Sequence, residues 1–421
     1  MTGKERLKAT IRHVEPDRVC VDFGSNAVTG MHVRTVELLR GFYGLEKKPV
    51  KVCEPYQMLG EIEDDLRERL GIDTEPLVGH GTIFGFRNED WKLWTAPWGQ
   101  DVLVPADFQV TCDAHGDTLI FPQGDRSAPP SGRMPATGYF FDCIVRQPEM
   151  DEENLSPEDN LEEFSVLDEE ALNWYQSEAI RLEGSSRGIV ASTPGSALGD
   201  IALVPGPFLK YPKGIRDISE WYISTVSRQD YIHEVFRQQT DIAIENMRLL
   251  KEVTGDLIDV VFTCGTDFGT QTSQFCSADT YEELWAPYYR RMNDWIHENT
   301  SWKTFKHCCG AVYPLIAHFV DSGFDILNPV QCSAADMDPQ RLKDEFGDRI
   351  VFWGGGVDTQ KTLPFGTPEE VYREVRERID IFAPGGGFVF DAIHNVQANT
   401  PIENVVAMFK ALEDARSLVY L

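Results

Sequence analysis

The sequence predicts an α/β chain built on a (β/α)8 barrel, with an N-terminal helical extension and a β-rich insertion. Two observations carry that expectation. From about residue 171 onward, short β-branched runs alternate with helical stretches, the pattern of βαβ units on a parallel sheet. The unusual polar residues also fall just after successive strand runs, and those strand ends share one face in a parallel barrel, the face that holds its active site.

In chain order, residues 1–20 read as a helix followed by a turn at Glu15-Pro16-Asp17, and Val19 to Gly24 as a strand-like run ending in glycine. Residues 32–75 look helical with a break near Lys48-Pro49, which makes 1–75 the helical extension. The segment 77–147 is rich in Gly, Pro, Val and aromatics, with turn signals at Gly79, Gly81, Pro97-Trp98-Gly99 and Gly116-Asp117, a β-hairpin composition. Substrate selection or a homodimer contact is expected of this insertion. Residues 149–170 are strongly acidic and read as a solvated loop or helix start. Strand runs then follow at Gly188 to Ala191, Leu257 to Val261, Thr304 to Lys306, Ile326 to Asn328, Ile350 to Trp353 and Phe388 to Phe390, with helices over 281–299, 313–322, 339–346 and 368–382 between them. Six or more strand–helix units imply a closed ring of eight, and the whole of 1–421 is one domain.

The bulk numbers exclude several partners. A formal net charge of −29 argues against nucleic acid and against an anionic membrane surface, though a local basic spot could still take an anionic substrate. No apolar run is long enough to span a membrane, and the N-terminus, with Lys4, Arg6 and Lys8, lacks an apolar signal core. Nine cysteines at uneven spacing do not form a disulfide framework; they fit a reducing cytoplasm, with a few available for metal.

The polar clusters after the strand runs are Cys264-Gly265-Thr266-Asp267, His307-Cys308-Cys309, Asn328-Pro329-Val330-Gln331, Gly354-Gly355-Gly356-Val357-Asp358 and His394-Asn395. Side chains two apart on a strand face the same way, so His307 and Cys309 point together while Cys308 faces the barrel wall. An imidazole and a thiolate converging make half of a zinc site; a buried cysteine beside a hydrogen-bonded histidine is the plain alternative. Asp267 and Asp358 either line the mouth or cap the following helices, and Asn328 and Gln331 either line it or tie down loop backbone. Cys264 and Cys332 are expected to be buried. Trp91, Trp94 and Trp98 form either a wall for a planar substrate or a small satellite core.

These segments resemble the uroporphyrinogen decarboxylase superfamily, through Gly265 to Gln271, His307 to Gly310, Gly323 to Gln331, Gly354 to Asp358, Gly366 to Val371, Pro384 to Phe388, His394 to Gln397 and Thr400 to Val405. The resemblance implies a TIM barrel and one of two chemistries. The decarboxylase branch needs no metal and grips a polycarboxylate porphyrinogen with an arginine-rich N-terminal segment; here Val19 to Met31 contains no arginine, and Asp22 stands there instead. The cobalamin-dependent methyltransferase branch, which includes the methyltransferase I component of O-demethylase-type systems, carries an H-x-C pair plus a later cysteine as zinc ligands. His307 and Cys309 match the pair, and the later position falls on His394. The departure leaves a His–Cys–His zinc site, one per chain, or a His394 that acts on substrate.

The expected function is methyl transfer from a small methylated compound, foremost a methoxylated aromatic, to the Co(I) of a corrinoid supplied by a partner protein. His307, Cys309 and His394 would hold zinc; Asp267, Asp358, Gln331 and Asn328 are the candidate catalytic residues; Asp22, Gln271 and Asn395 are candidate substrate contacts. The alternative is a metal-free decarboxylase-like lyase acting on a small carboxylic acid.

Overall fold

In the computed structural model, which describes residues 1–417, eight parallel strands form one sheet. They are β1 (Cys20–Val21), β2 (Thr74–Leu77), β3 (Gly188–Ser192), β4 (Val260–Cys264), β5 (Lys303–His307), β6 (Ile326–Asn328), β7 (Val351–Trp353) and β8 (Phe388–Phe390). Their order is β1-β8-β7-β6-β5-β4-β3-β2. The ladder is continuous from β1 round to β2. The two ends of the sheet meet without a ladder: Asp73 N–H donates to Val21 O (2.8 Å) and Val21 N–H to the Asp73 carboxylate (3.0 Å). Arg6 and Arg18 fix that carboxylate at 2.6 and 2.8 Å. The barrel class expected from alternating strands and helices is thus the observed one.

The boundaries differ at the N-terminal side. β1 and β2 are barrel strands, so 1–75 belongs to the ring rather than being a helical extension of it. Val50–Glu54 is a strand where a helix is expected, because Val-Lys-Val alternates with period two and buries Val50 and Val52. It pairs with Leu59–Gly60 and Asp101–Val104, and Lys92–Thr95 completes a mixed sheet. A second, antiparallel sheet comprises Val110–Cys112, Thr118–Ile120, Gly132–Met134 and Asp142–Cys143. Trp94 packs on Phe108, and Trp98 on His32 and Tyr139, a satellite core rather than a substrate wall. The expected helix over 281–299 is two, Ala278–Leu284 and Ala286–Asn299, because Pro287 has no N–H to continue the first. Among the described residues no helix is long and apolar enough to cross a membrane.

Two apolar cores result. Cys20, Val190, Val260, Phe305, Ile326, Val351, Trp353 and Val389 fill the ring, and Leu7 and Ile11 close its N-terminal end. A larger core lies between strands and helices. Two residues beyond Cys20 and Val389, on the same inward-facing register, stand Asp22 and Asp391. Asp22 is fully buried and accepts from Thr74 Oγ1, Ser25 Oγ (2.7 Å) and Trp353 Nε1 (3.0 Å), so it braces the ring. Asp391 receives only the Ala392 N–H on Oδ1; its buried Oδ2 has no partner among the described residues.

Two neighbouring carboxyls in a dry interior do not both ionise. Burial, and then the charge of Asp22, push Asp391 well above the ordinary carboxyl range. Its proton is retained on folding and lost on unfolding, so its contribution to stability falls as pH rises from about 4 towards the folded value. Asp391→Asn, which supplies an uncharged N–H donor, is expected to add on the order of 1–3 kcal/mol at pH 8 and little near pH 4, as thermal melts across that range would show.

Candidate metal centre

β5 ends at His307, which pairs in register with Asn328 at the end of β6. Asn328 is buried and oriented by donating through Nδ2 to Trp353 O (3.0 Å), so its Oδ1 accepts from His307 Nδ1 at 2.7 Å. The imidazole proton is thereby held on Nδ1, and Nε2 is free to act as a ligand. Cys309 Sγ lies 3.4 Å from that Nε2, and the His394 ring stands edge-on to His307 with centroids 5.5 Å apart. Donor atoms of His307, Cys309 and His394 all lie within 4.8 Å of one another. Among the described residues this is the one such group of three or more His, Cys, Asp or Glu side chains.

The protonation states suit a metal. Burial pulls His307 down to about 4, and Lys306 adds to this against the Asn328 hydrogen bond. Burial, then the neighbouring His307, pulls His394 down to about 4. Both rings are neutral at physiological pH, and His394 Nδ1 accepts the Asn395 N–H at 2.8 Å, so His394 would bind a metal through Nε2 only after losing the proton that this bond places there. Burial, then Asp267 and Cys308, push the Cys309 thiol well up against the charge of Lys306, so the protein alone favours the thiol. Two neutral imidazoles and one thiolate are a donor set that a borderline-soft divalent cation such as zinc accepts, with a fourth position left open. Asn328→Ala is expected to weaken metal binding by about 10–100-fold through loss of tautomer and orientation, measured by chelator competition.

The loops beyond the strand ends lock this geometry. Asp267 Oδ1 accepts the Cys309 N–H at 2.6 Å and lies 3.9 Å from His307 Nε2. Gln331 Oε1 accepts the Gly310 N–H (2.8 Å) and Gln331 Nε2 donates to Gln271 Oε1 (2.9 Å), so this pair ties three loops together. Gly310, at φ +96°, packs backbone to backbone on Gly269, and a Cβ on either would clash with the other loop. Cys308 faces outward and accepts the Phe268 N–H through Sγ at 3.1 Å. Behind it Lys306, fully buried, donates to Cys264 Sγ (3.1 Å), Thr266 O (2.7 Å) and His307 O (3.0 Å). The rings of Phe268, Tyr289, Phe319 and Phe324 surround its ammonium at 4.7–6.0 Å.

Asp358 and Asp22 are not brought to this trio, and Asn395 meets it through its own N–H, which donates to His394 Nδ1 at 2.8 Å. Asp358 is spent accepting the Gln360 and Lys361 N–H groups (2.7 and 3.3 Å), and it borders a surface groove of about 670 Å³ with Lys361, Phe365 and Arg373. Asn395 accepts the Gly30 N–H and donates to Ala27 O and Gln57 Oε1, latching the loop after β1. Asp22 lies in the buried network of the ring. Cys264 is buried against Tyr289, and Cys332 makes no ligand group with the trio. Two rim residues escaped the sequence reading: Asp200, on the loop after β3, and Tyr222, whose hydroxyl reaches Asp267 O at 3.5 Å. The strand-end rule applied to the Gly188 to Ala191 run would have led to Asp200.

Fold and site together define a (β/α)8 barrel with, at the C-terminal ends of its strands, a trio of side chains that could hold a metal ion. Residues 206–415 match the model of the uroporphyrinogen decarboxylase (URO-D) family, and they form a domain of that family. A methylated-thiol–coenzyme M methyltransferase of Methanosarcina mazei is 30% identical over 143 residues, 34% of this chain and 35% of that protein. The alignment therefore spans about a third of that relative's length. A solved methyltransferase from Methanosarcina mazei superposes over 100% of both chains with a TM-score of 0.54 at 17% identity, a likeness of fold.

Proposed function

We propose that this protein transfers a methyl group from a small methylated compound to the cobalt of a corrinoid carried by a partner protein. The observation that carries this reading is the convergence of His307, Cys309 and His394 within 4.8 Å at the barrel mouth. A zinc ion held there would act as a Lewis acid on the heteroatom that bears the methyl group. Asn328 fixes His307 as a neutral ligand, Asp267 and Gln331 hold the Cys309 loop, and Gln271 braces Gln331.

In the transfer, the bond between the heteroatom and the methyl carbon breaks with its electron pair staying on the heteroatom. Co(I) supplies the pair for the new cobalt–carbon bond and becomes formally Co(III). A protein-borne corrinoid needs an accessible rim, and the rim beside Asp267 is apolar: Tyr222 stacks on Phe275 (4.8 Å), with Phe275 44%, Ile223 54% and Val226 79% exposed. All nine cysteines are free, which suits a reducing cytoplasm.

A methoxylated aromatic is the first donor class, because phenolate is a poor leaving group and needs the Lewis acid most. A methylated thiol is the second reading, favoured by the printed activity of the Methanosarcina mazei relative. The test is methylation of Co(I) cobalamin, followed by absorbance, with methoxyarenes, methyl thioethers and methylamines, alongside metal analysis of protein purified without chelator. About one zinc per chain and transfer from one donor class is the expected result. No metal and no transfer would leave the metal-free lyase.

A further inference from the structure

The groove beside Asp358, about 670 Å³, lies between the loop after β6, the loop after β7 and the helix Pro368–Phe382. None of His307, Cys309 and His394 lines it. Its unused hydrogen-bonding groups are mostly of one kind. In a chain with 68 acidic and 39 basic residues, a cation seldom lacks a carboxylate. Yet the Lys361 and Arg373 side chains, both on this groove, have no hydrogen bond, ion pair or ring contact among the described residues. Arg378 and Ser333 stand in the wall with them. Arg378 Nη2 reaches Glu374 Oε1 at 3.5 Å, but its Nε is buried without a partner. Ser333 Oγ is likewise buried and unpaired. Buried polar atoms are nearly always satisfied, so two open donors beside one groove mark a missing acceptor. A change of rotamer turns either of them into the groove.

The acceptors of the lining are largely spent. Asp358 takes the Gln360 and Lys361 N–H groups, Glu370 the Thr367 N–H (2.8 Å) and Glu374 the Asp358 N–H (3.1 Å). Glu377, which is exposed, is the one carboxylate there without a partner among the described residues. Four open donors against one open acceptor call for a ligand that brings acceptors. Phe365, 84% exposed, adds an uncovered aromatic ring at the same place. A groove of this volume holds an organic molecule rather than a bare ion.

We propose that this groove binds a small organic oxyanion, a carboxylate or phosphate carried on a planar apolar group. Lys361, Arg373 and Arg378 would take the oxyanion, and Phe365 would lie against the apolar part. A guanidinium offers paired donors that match carboxylate and phosphate oxygens, and an ammonium adds a compact charge. The site shares no side chain with the metal trio and does not depend on the methyl-transfer reading.

The test is titration of the full chain with phenyl phosphate, benzoate, inorganic phosphate and the neutral benzamide, by calorimetry or ligand-observed NMR. The expected result is saturable binding of an aryl anion in the millimolar range or tighter, with benzamide weaker by about 10-fold or more. Tighter phenyl phosphate identifies a phosphate ligand, and tighter benzoate a carboxylate. Lys361→Gln combined with Arg373→Gln should weaken the aryl anions by about 10-fold or more and flatten their salt dependence. Phe365→Ala should weaken them by about 2–10-fold and leave inorganic phosphate unchanged. All three positions are exposed, so melting temperature and metal content should match wild type. No saturation by either aryl anion, benzamide bound as tightly as benzoate, or wild-type affinity in the double variant would each overturn the site. A protein that binds these anions but moves no methyl group overturns the proposed function and leaves the groove standing.

Discussion

Cys309→Ala will purify folded and without stoichiometric metal. Cys309 supplies the sole sulfur of a trio whose other members are neutral imidazoles. The thiol is held up by burial and by Asp267, so a cation bound beside it would favour the thiolate. Removing it takes away the one anionic donor. Loss of an outer hydrogen bond to a ligand already costs about 10–100-fold in affinity, so loss of the ligand itself should exceed about 10²-fold in chelator competition. Methyl transfer should fall with it. The apo protein should melt within a few degrees of wild type, because no loop depends on the sulfur: the Cys309 loop is held by its N–H on Asp267 and by Gly310 on Gln331. A variant that keeps full metal occupancy would sink the trio as the metal centre.

Lys306→Met will behave in the opposite way, destabilising the fold far more than it weakens metal binding. The substitution keeps the aliphatic volume but removes a buried ammonium. Burial alone would pull Lys306 down, yet the sulfurs of Cys264 and Cys308 and the charge of Asp267 outweigh it and raise the group, so it is charged in the folded protein. The carbonyls of Thr266 and His307 would lose a donor in a site without water, at about 1–3 kcal/mol each. The attraction of four surrounding rings for the cation goes too, at about 0.5–2 kcal/mol. The sum is about 2.5–8 kcal/mol, a large part of the stability of a typical domain, and thermal and urea unfolding would register it. Zinc added to the folded variant should still bind, because His307, Cys309 and His394 are untouched. A melting temperature equal to that of wild type would mean the ammonium is not charged in place.

The residues that gather around the trio share one property: their position along the chain already decides which way they face. His307 and Cys309 sit at a strand end, and the two-residue repeat aims both inward; Asn328 pairs with His307 at the end of the next strand, and Asp267 and Gln331 follow on the neighbouring loops. The barrel was legible for the same reason, because βαβ alternation is a local pattern. What sequence reasoning missed depends on contacts between distant segments. Thr74–Leu77 is only four residues with a proline inside, too short to separate from the helix before it. Asp358 looked like a mouth residue by position, but it is consumed by two backbone N–H groups of its own turn, as N-cap aspartates often are. Asp22's bracing role was hidden because its partners, Thr74 and Trp353, lie 52 and 331 residues away. Asp200 and Lys306 draw their character from burial beside charges on other strands, which no local window contains.

The pairing of β1 with β8 joins Cys20 to Val389, two positions far apart in sequence. During synthesis the hoop therefore stays unclasped until β8 has emerged. His394 arrives only four residues after β8, so the third ligand is delivered in the same late event that completes the ring. A nascent chain with only the 307 and 309 side chains exposed offers an ion two donors and a weak grip, and metal capture is deferred to the finished fold.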